Sequence, residues 1–185
     1  SWTSKDEQRS MMLRFGENGQ DINSLQIVSP GGNLISTTRF SENTWYTLSL
    51  AYDGSTLRFY VNGDRDSELG ADCHNTFQRF EMGMSWESYP SKQYFNGRIA
   101  EIRVWDRALT ASEIQLGLCG VDPQSEGLRA YWKMNDSDHI FRDATGNGYD
   151  MDWSNTVRDT GNGALTSFNK SSEVRWIEDE KKCVN

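Results

Sequence analysis

Period-two alternation of apolar and polar residues recurs along this chain at the spacing of a β-sandwich. Met11, Leu13 and Phe15 share one side of a first segment, and Leu25–Val28 and Leu34–Arg39 follow, parted by Pro30-Gly31-Gly32. From Trp45 to Tyr52, the residues Tyr46, Leu48, Leu50 and Tyr52 alternate with Thr47, Ser49 and Ala51. Asp53-Gly54 turns the chain into a segment whose inward set is Leu57, Phe59 and Val61. Asn62-Gly63 is then a strong hairpin signal, because both residues tolerate the positive φ of a type I′ turn. Phe77–Ser85 and Arg98–Trp105 read as two further strands. The second of these sets Ala100, Ile102 and Val104 against Ile99, Glu101, Arg103 and Trp105. Helical periodicity is confined to Ala111–Leu116, where Thr110 and Glu113 have capping-box spacing and Gly117 stands where a helix ends.

At 185 residues the chain suits one sandwich domain, and 16 glycines with 7 Trp, 7 Tyr and 8 Phe form a strand-and-turn vocabulary. A net charge of -8 argues against nucleic acid, whose phosphates need a basic surface. The same charge disfavours anionic membrane surfaces, and no segment approaches the roughly 20 apolar residues of a membrane helix. Neutral or cationic ligands, calcium included, stay open. The chain opens on Ser1 with no methionine and no signal-peptide pattern, so a processed product or an excised domain is expected. Cys73, Cys119 and Cys183 allow one internal disulfide and one spare thiol. His74 and His139 lack partners at zinc-ligand spacing.

Two stretches carry a resemblance. One is Phe95-Asn96-Gly97-Arg98-Ile99-Ala100-Glu101-Ile102-Arg103-Val104-Trp105-Asp106-Arg107-Ala108-Leu109 with the short helix to Ile114. The other runs from Trp45-Tyr46-Thr47-Leu48 through Tyr52-Asp53-Gly54 to Tyr60-Val61-Asn62-Gly63. Together they resemble the closing strand and central hairpin of concanavalin A-like jelly rolls, in particular laminin-G-like (pentraxin-like) domains of bacterial surface glycan-utilisation proteins. The resemblance implies an all-β, two-sheet antiparallel sandwich with one short helix near 110–117. Leu128–Asn135 and Asp143–Gly148 look like the family's opening strand and loop, here placed after the closing strand. We therefore expect a single domain over 1–185, with 120–185 as an extension packing onto the sandwich and the usual opening strand reduced to Ser1–Ser4. Similar modules share a cysteine after the helix and another near the C-terminus, which implies a Cys119–Cys183 bridge and a free Cys73. Export to a bacterial surface, periplasm or medium, within a larger multidomain parent, is implied as well.

The clan includes glycoside hydrolases, which need two carboxylates in one cleft. The Glu-x-Asp-x-x-Glu and Glu-x-Asp-x-Glu strand patterns of its glucanases are absent, and Glu101 is placed to pair with Arg103 or Arg98. No nucleophile elbow accompanies either histidine. Asp143-Ala144-Thr145-Gly146-Asn147-Gly148-Tyr149-Asp150 concentrates oxygens, so Asp143, Asn147 and Asp150 are candidate ligands for a structural calcium, although a tight turn recruits the same residues. Between Met84 and Gly97, flat aromatics mix with polar groups, a combination suited to a pyranose. Trp86, Glu87, Tyr89, Lys92 and Tyr94 are the candidate ligand-binding residues there, and Phe95 is expected in the core. Trp45, Tyr60, Trp105 and Trp132 are expected in the core or on the sheet surface. The expected role is a non-catalytic, lectin-like glycan-binding module, not an enzyme. The alternatives are a structural or protein-interaction domain, and a hydrolase of the same clan.

Overall fold

The computed structural model describes residues 2–3, 11–16, 21–73, 79–80, 95, 97–134 and 140–152. It is built of antiparallel strands and one short helix. The strands are β1 (Trp2–Thr3), β2 (Met12–Phe15), β3 (Leu25–Ser29), β4 (Gly32–Ile35), β5 (Leu48–Tyr52) and β6 (Thr56–Val61). They continue with β7 (Asp64–Gly70), β8 (Arg79–Phe80), β9 (Ile102–Trp105), β10 (Leu128–Trp132), β11 (Ile140–Phe141) and β12 (Met151–Asp152). The helix α1 spans Ala111–Leu116 and runs into a 3-10 turn at Gly117–Cys119. No helix among the described residues is long and apolar enough to cross a membrane.

The chain divides into two compact units. The first takes its described residues from Ser1–Asn96 and Arg107–Gly120. Within it, β2-β3-β4 and β5-β6-β7 are three-stranded antiparallel sheets, and β1 pairs with β8. Period-two alternation turns Leu25, Ile27 and Leu34 of one sheet and Leu57, Phe59 and Val61 of the other into one shared core. Ile27, Leu57 and Phe59 have no accessible surface, while Leu50, Tyr52 and Leu69 pack at its margin. The fold is thus a β-sandwich, as the alternation predicted, of the jelly-roll kind that the resemblance implied.

The other face of β5-β6-β7 is covered as well. Thr110 caps α1 with its side chain while the Glu113 carboxylate reaches back to the Thr110 N–H, so the capping box is formed from both ends. The helix so fixed presents Ile114 to Ala51 and Tyr60, with Ala108 and Leu109 beside them. Burial of Ile114 contributes about 2 kcal/mol. This second cluster explains why β6 is buried on both faces and why Tyr60 is only 5% exposed.

The second unit takes its described residues from Gly97–Asp106 and Val121–Cys183. Here β9 pairs antiparallel with β10, matching Arg103 with Tyr131 and Ile102 with Trp132. The strand that closes the expected sandwich therefore finds its ladder partner in the segment expected as an extension. β11 pairs with β12.

Several expected strands are shorter. Leu34–Arg39 is replaced by Gly32–Ile35, because the two-residue turn Pro30-Gly31 lets Ser29 pair with Gly32 and the chain leaves the sheet at Ser36. Trp45–Tyr52 shrinks to Leu48–Tyr52, with Trp45 41% exposed outside the core and the sheet. Arg98–Trp105 begins at Ile102, because Glu101 has φ 50 and cannot extend the ladder backwards. Phe95 is 44% exposed, stacked on the ring of Phe15 at 6.3 Å instead of buried. Of the Phe77–Ser85 strand, only Arg79–Phe80 lies among the described residues. Cys73 is a buried free thiol and Cys119 is disulfide-bonded, while Cys183 lies outside the described residues.

Candidate functional site

In the first unit the Asn62-Gly63 turn does more than join two strands. Asn62 and Gly63 have φ 52 and 87, as a type I′ turn requires. The Asn62 carboxamide oxygen accepts the Thr47 N–H at 2.9 Å, which leaves Nδ2 directed elsewhere. Immediately after the turn, β7 carries Asp64, Arg65 and Asp66, and the β4–β5 connection passes alongside. Asp66 ties the two together. Its Oδ1 accepts from Thr38 N at 2.7 Å and Thr37 Oγ1 at 3.0 Å, and its Oδ2 accepts from Thr37 N at 2.8 Å. Burial pushes the Asp66 carboxyl up, but these bonds outweigh it and hold it below its ordinary value.

The result is a groove of about 290 Å³. It is lined by Thr37, Thr38 and Tyr46 from the β4–β5 connection, and by Val61, Asn62, Asp64, Arg65 and Asp66 from the hairpin. Asp64 Oδ1 accepts from Gln115 Nε2 at 3.2 Å, and Arg65 reaches Glu68 at 3.2 Å. Among the described residues, Asn62 Nδ2 and Asp64 Oδ2 have no partner. The groove thus offers one amide donor and one carboxylate acceptor beside Tyr46, walled by a segment that Asp66 ties to β7.

Reasoning from the sequence missed this groove. Asp64–Gly70 reads DRDSELG, with Leu69 its only large apolar residue, so no alternation announces a strand. The available signal was the Asn-Gly turn followed at once by Asp-Arg-Asp.

The second unit contains the expected calcium loop, and it brings Asp143 and Asp150 together. Asp150 Oδ1 accepts the Asp143 N–H at 2.8 Å. The Asp143 carboxylate, 7% exposed, is itself an acceptor hub. Oδ1 takes Tyr131 N at 3.0 Å, Thr145 N at 3.0 Å and Thr145 Oγ1 at 2.7 Å, and Oδ2 takes Tyr149 N at 3.3 Å. Burial raises the Asp143 carboxyl, but these donors more than compensate and leave it below its ordinary value. Asn147 turns away, its Nδ2 donating to Arg129 O at 3.0 Å. A hard cation needs several unshared oxygens pointing inward. Here both Asp143 oxygens are committed to N–H and O–H donors, so a calcium held by Asp143, Asn147 and Asp150 would have to displace them. No group of three His, Cys, Asp or Glu that could hold a metal ion occurs among the described residues.

Glu101 binds the Arg103 guanidinium, one of the two partners expected for it, and Arg103 also lies over the Tyr131 ring at 5.0 Å. Trp86, Glu87, Tyr89, Lys92 and Tyr94 lie outside the described residues, as do His74 and His139.

Among solved structures, the chain resembles a protein of Bacteroides ovatus provisionally named as carbohydrate binding, at 29% identity and a TM-score of 0.63. The match covers 75% of this chain and 43% of that one, so this chain spans less than half of its neighbour's length. An S-layer domain-containing protein of Clostridium thermocellum matches at 20% identity and a TM-score of 0.39, covering 63% of this chain and 66% of that one. No curated protein matches the chain. A laminin-G family model described as the concanavalin A-like lectin/glucanases superfamily matches residues 2–115. The chain belongs to that family of the concanavalin A-like lectin/glucanases superfamily.

Proposed function

We propose that this chain is a non-catalytic carbohydrate-binding module of an exported, surface-located bacterial protein with further domains. The observation that carries the reading is the likeness to the Bacteroides ovatus protein, at an identity and TM-score above those of fold likeness alone. Family membership and a polar groove beside a tyrosine ring support it. Export is supported by the bonded Cys119, because disulfides persist in oxidising compartments.

A hydrolase needs one carboxyl held protonated as the acid, which calls for a raised pKa. The groove does hold two carboxylates, Asp64 and Asp66, but hydrogen bonds depress Asp66 and occupy both its oxygens. That favours binding over hydrolysis. Glycan-array screening of the whole chain, followed by chromatography of every bound oligosaccharide after incubation, tests the reading. Retention of defined glycans without cleavage is expected. Cleavage abolished by replacing one carboxylate would overturn the non-catalytic assignment, and a silent array with a co-purifying protein would replace binding of glycan with binding of protein.

A further inference from the structure

Resting on the glycan-binding reading, we propose that the hairpin groove is a pyranose subsite that takes an amine-bearing sugar in preference to a uronic acid. Among the described residues, Asn62 Nδ2 and Asp64 Oδ2 flank the type I′ turn as a donor and an acceptor without a partner. A sugar hydroxyl donates and accepts at once, so two neighbouring hydroxyls complement this pair. Tyr46, partly buried at the core margin and lining the groove, supplies apolar surface for a ring's C–H face. A volume of about 290 Å³ suits a single ring.

The wall is set before any ligand arrives. Asp66 fixes Thr37 and Thr38 through backbone N–H bonds, so little ordering accompanies binding. Charge gives the preference. Among the described lining residues, Asp64 and Asp66 stand against Arg65, which is shared with Glu68, while Arg39 beside Thr37 is paired with Asp21. The groove is therefore net negative, attracting an ammonium and repelling a carboxylate.

Titration of the 15N-labelled chain with glucosamine, N-acetylglucosamine and glucuronate tests this by amide shifts. Shifts at Thr37, Thr38, Tyr46 and Asn62–Asp66 are expected, tightest for glucosamine and weakest for glucuronate. Asp64→Asn preserves the shape and is expected to erase the preference for glucosamine. Asn62→Gly keeps the turn's positive φ while removing the donor, and is expected to weaken all three by about tenfold at most, one hydrogen bond's worth. Shifts confined to other residues, with a positive glycan array, would overturn the groove and leave the glycan reading standing. Glucuronate binding as tightly as glucosamine would overturn the charge assignment. Failure of every glycan on the array would overturn both readings.

Discussion

The Thr145 hydroxyl oxygen sits 2.7 Å from Oδ1 and 2.8 Å from Oδ2 of Asp143, bridging both carboxylate oxygens. Around that bridge the carboxylate also collects the N–H groups of Tyr131, Thr145 and Tyr149. One side chain thereby joins β10 to the loop before β12. Replacing Asp143 with Ala strands these donors, and the expected cost is about 3 kcal/mol, read by denaturant unfolding. Asp143→Asn keeps one acceptor oxygen and should cost less. Because the folded carboxyl lies below its ordinary value of 3.8, this stability is present above that value and is lost as pH falls from it through the depressed folded value. An acid-unfolding midpoint that is unchanged in Asp143→Asn would contradict the assignment.

Calcium at this turn would have to displace those N–H groups. A cation bound by the folded state at about 100 times its dissociation constant adds roughly 2.7 kcal/mol, a shift of several degrees in Tm. Calcium added to EDTA-treated protein is expected to leave Tm unmoved. A rise of several degrees would restore Asp143, Asn147 and Asp150 as ligands.

The helix cap gives a third test. Glu113 bonds the Arg107 guanidinium and the Thr110 N–H, which together hold its carboxyl down at about 2 from an ordinary 4.5. The contribution of Glu113 is therefore present above the ordinary value and fades as pH drops toward about 2. Thr110→Ala removes the reciprocal half of the box and should cost about 1 kcal/mol, measurable as a lowered Tm. Glu113→Gln should flatten the acid limb of the stability profile.

The cysteines differ in kind. Peptide mapping without reduction is expected to recover Cys119 joined to Cys183, with Cys73 alkylated only after unfolding because it is 6% exposed. Such a bridge closes a long loop and contributes about 4 kcal/mol in the chain-entropy model. A cross-linked peptide containing Cys73 would refute the pairing.

Local chemistry was legible in the sequence wherever one residue type answers one backbone demand. Asn62-Gly63 named its own turn, Thr110 with Glu113 named the helix start, and Glu101 found Arg103 two residues on. Core positions such as Leu57 and Phe59 followed from alternation. What escaped was set by tertiary context. β7 is a charged strand held in the sheet by its hydrogen bonds to β6 and the Asp66 contacts, with Leu69 its one large apolar residue at the core margin. Trp45 and Phe95 are large and apolar yet exposed, because both lie outside the strands of the sandwich. The groove joins residues almost thirty positions apart, such as Thr37 and Asp66, so no local spacing could announce it.

The pairing of Ile102–Trp105 with Leu128–Trp132 imposes an order on biosynthesis. When Trp105 leaves the ribosome or a translocation pore, its ladder partner is still to come. Until Trp132 has followed, the N–H and C=O groups of Ile102–Trp105 that β10 later pairs stand open, and an open strand edge recruits other chains. A chain severed near Cys119 would keep that edge open permanently, making it a seed for aggregation however well the hairpins before it had folded.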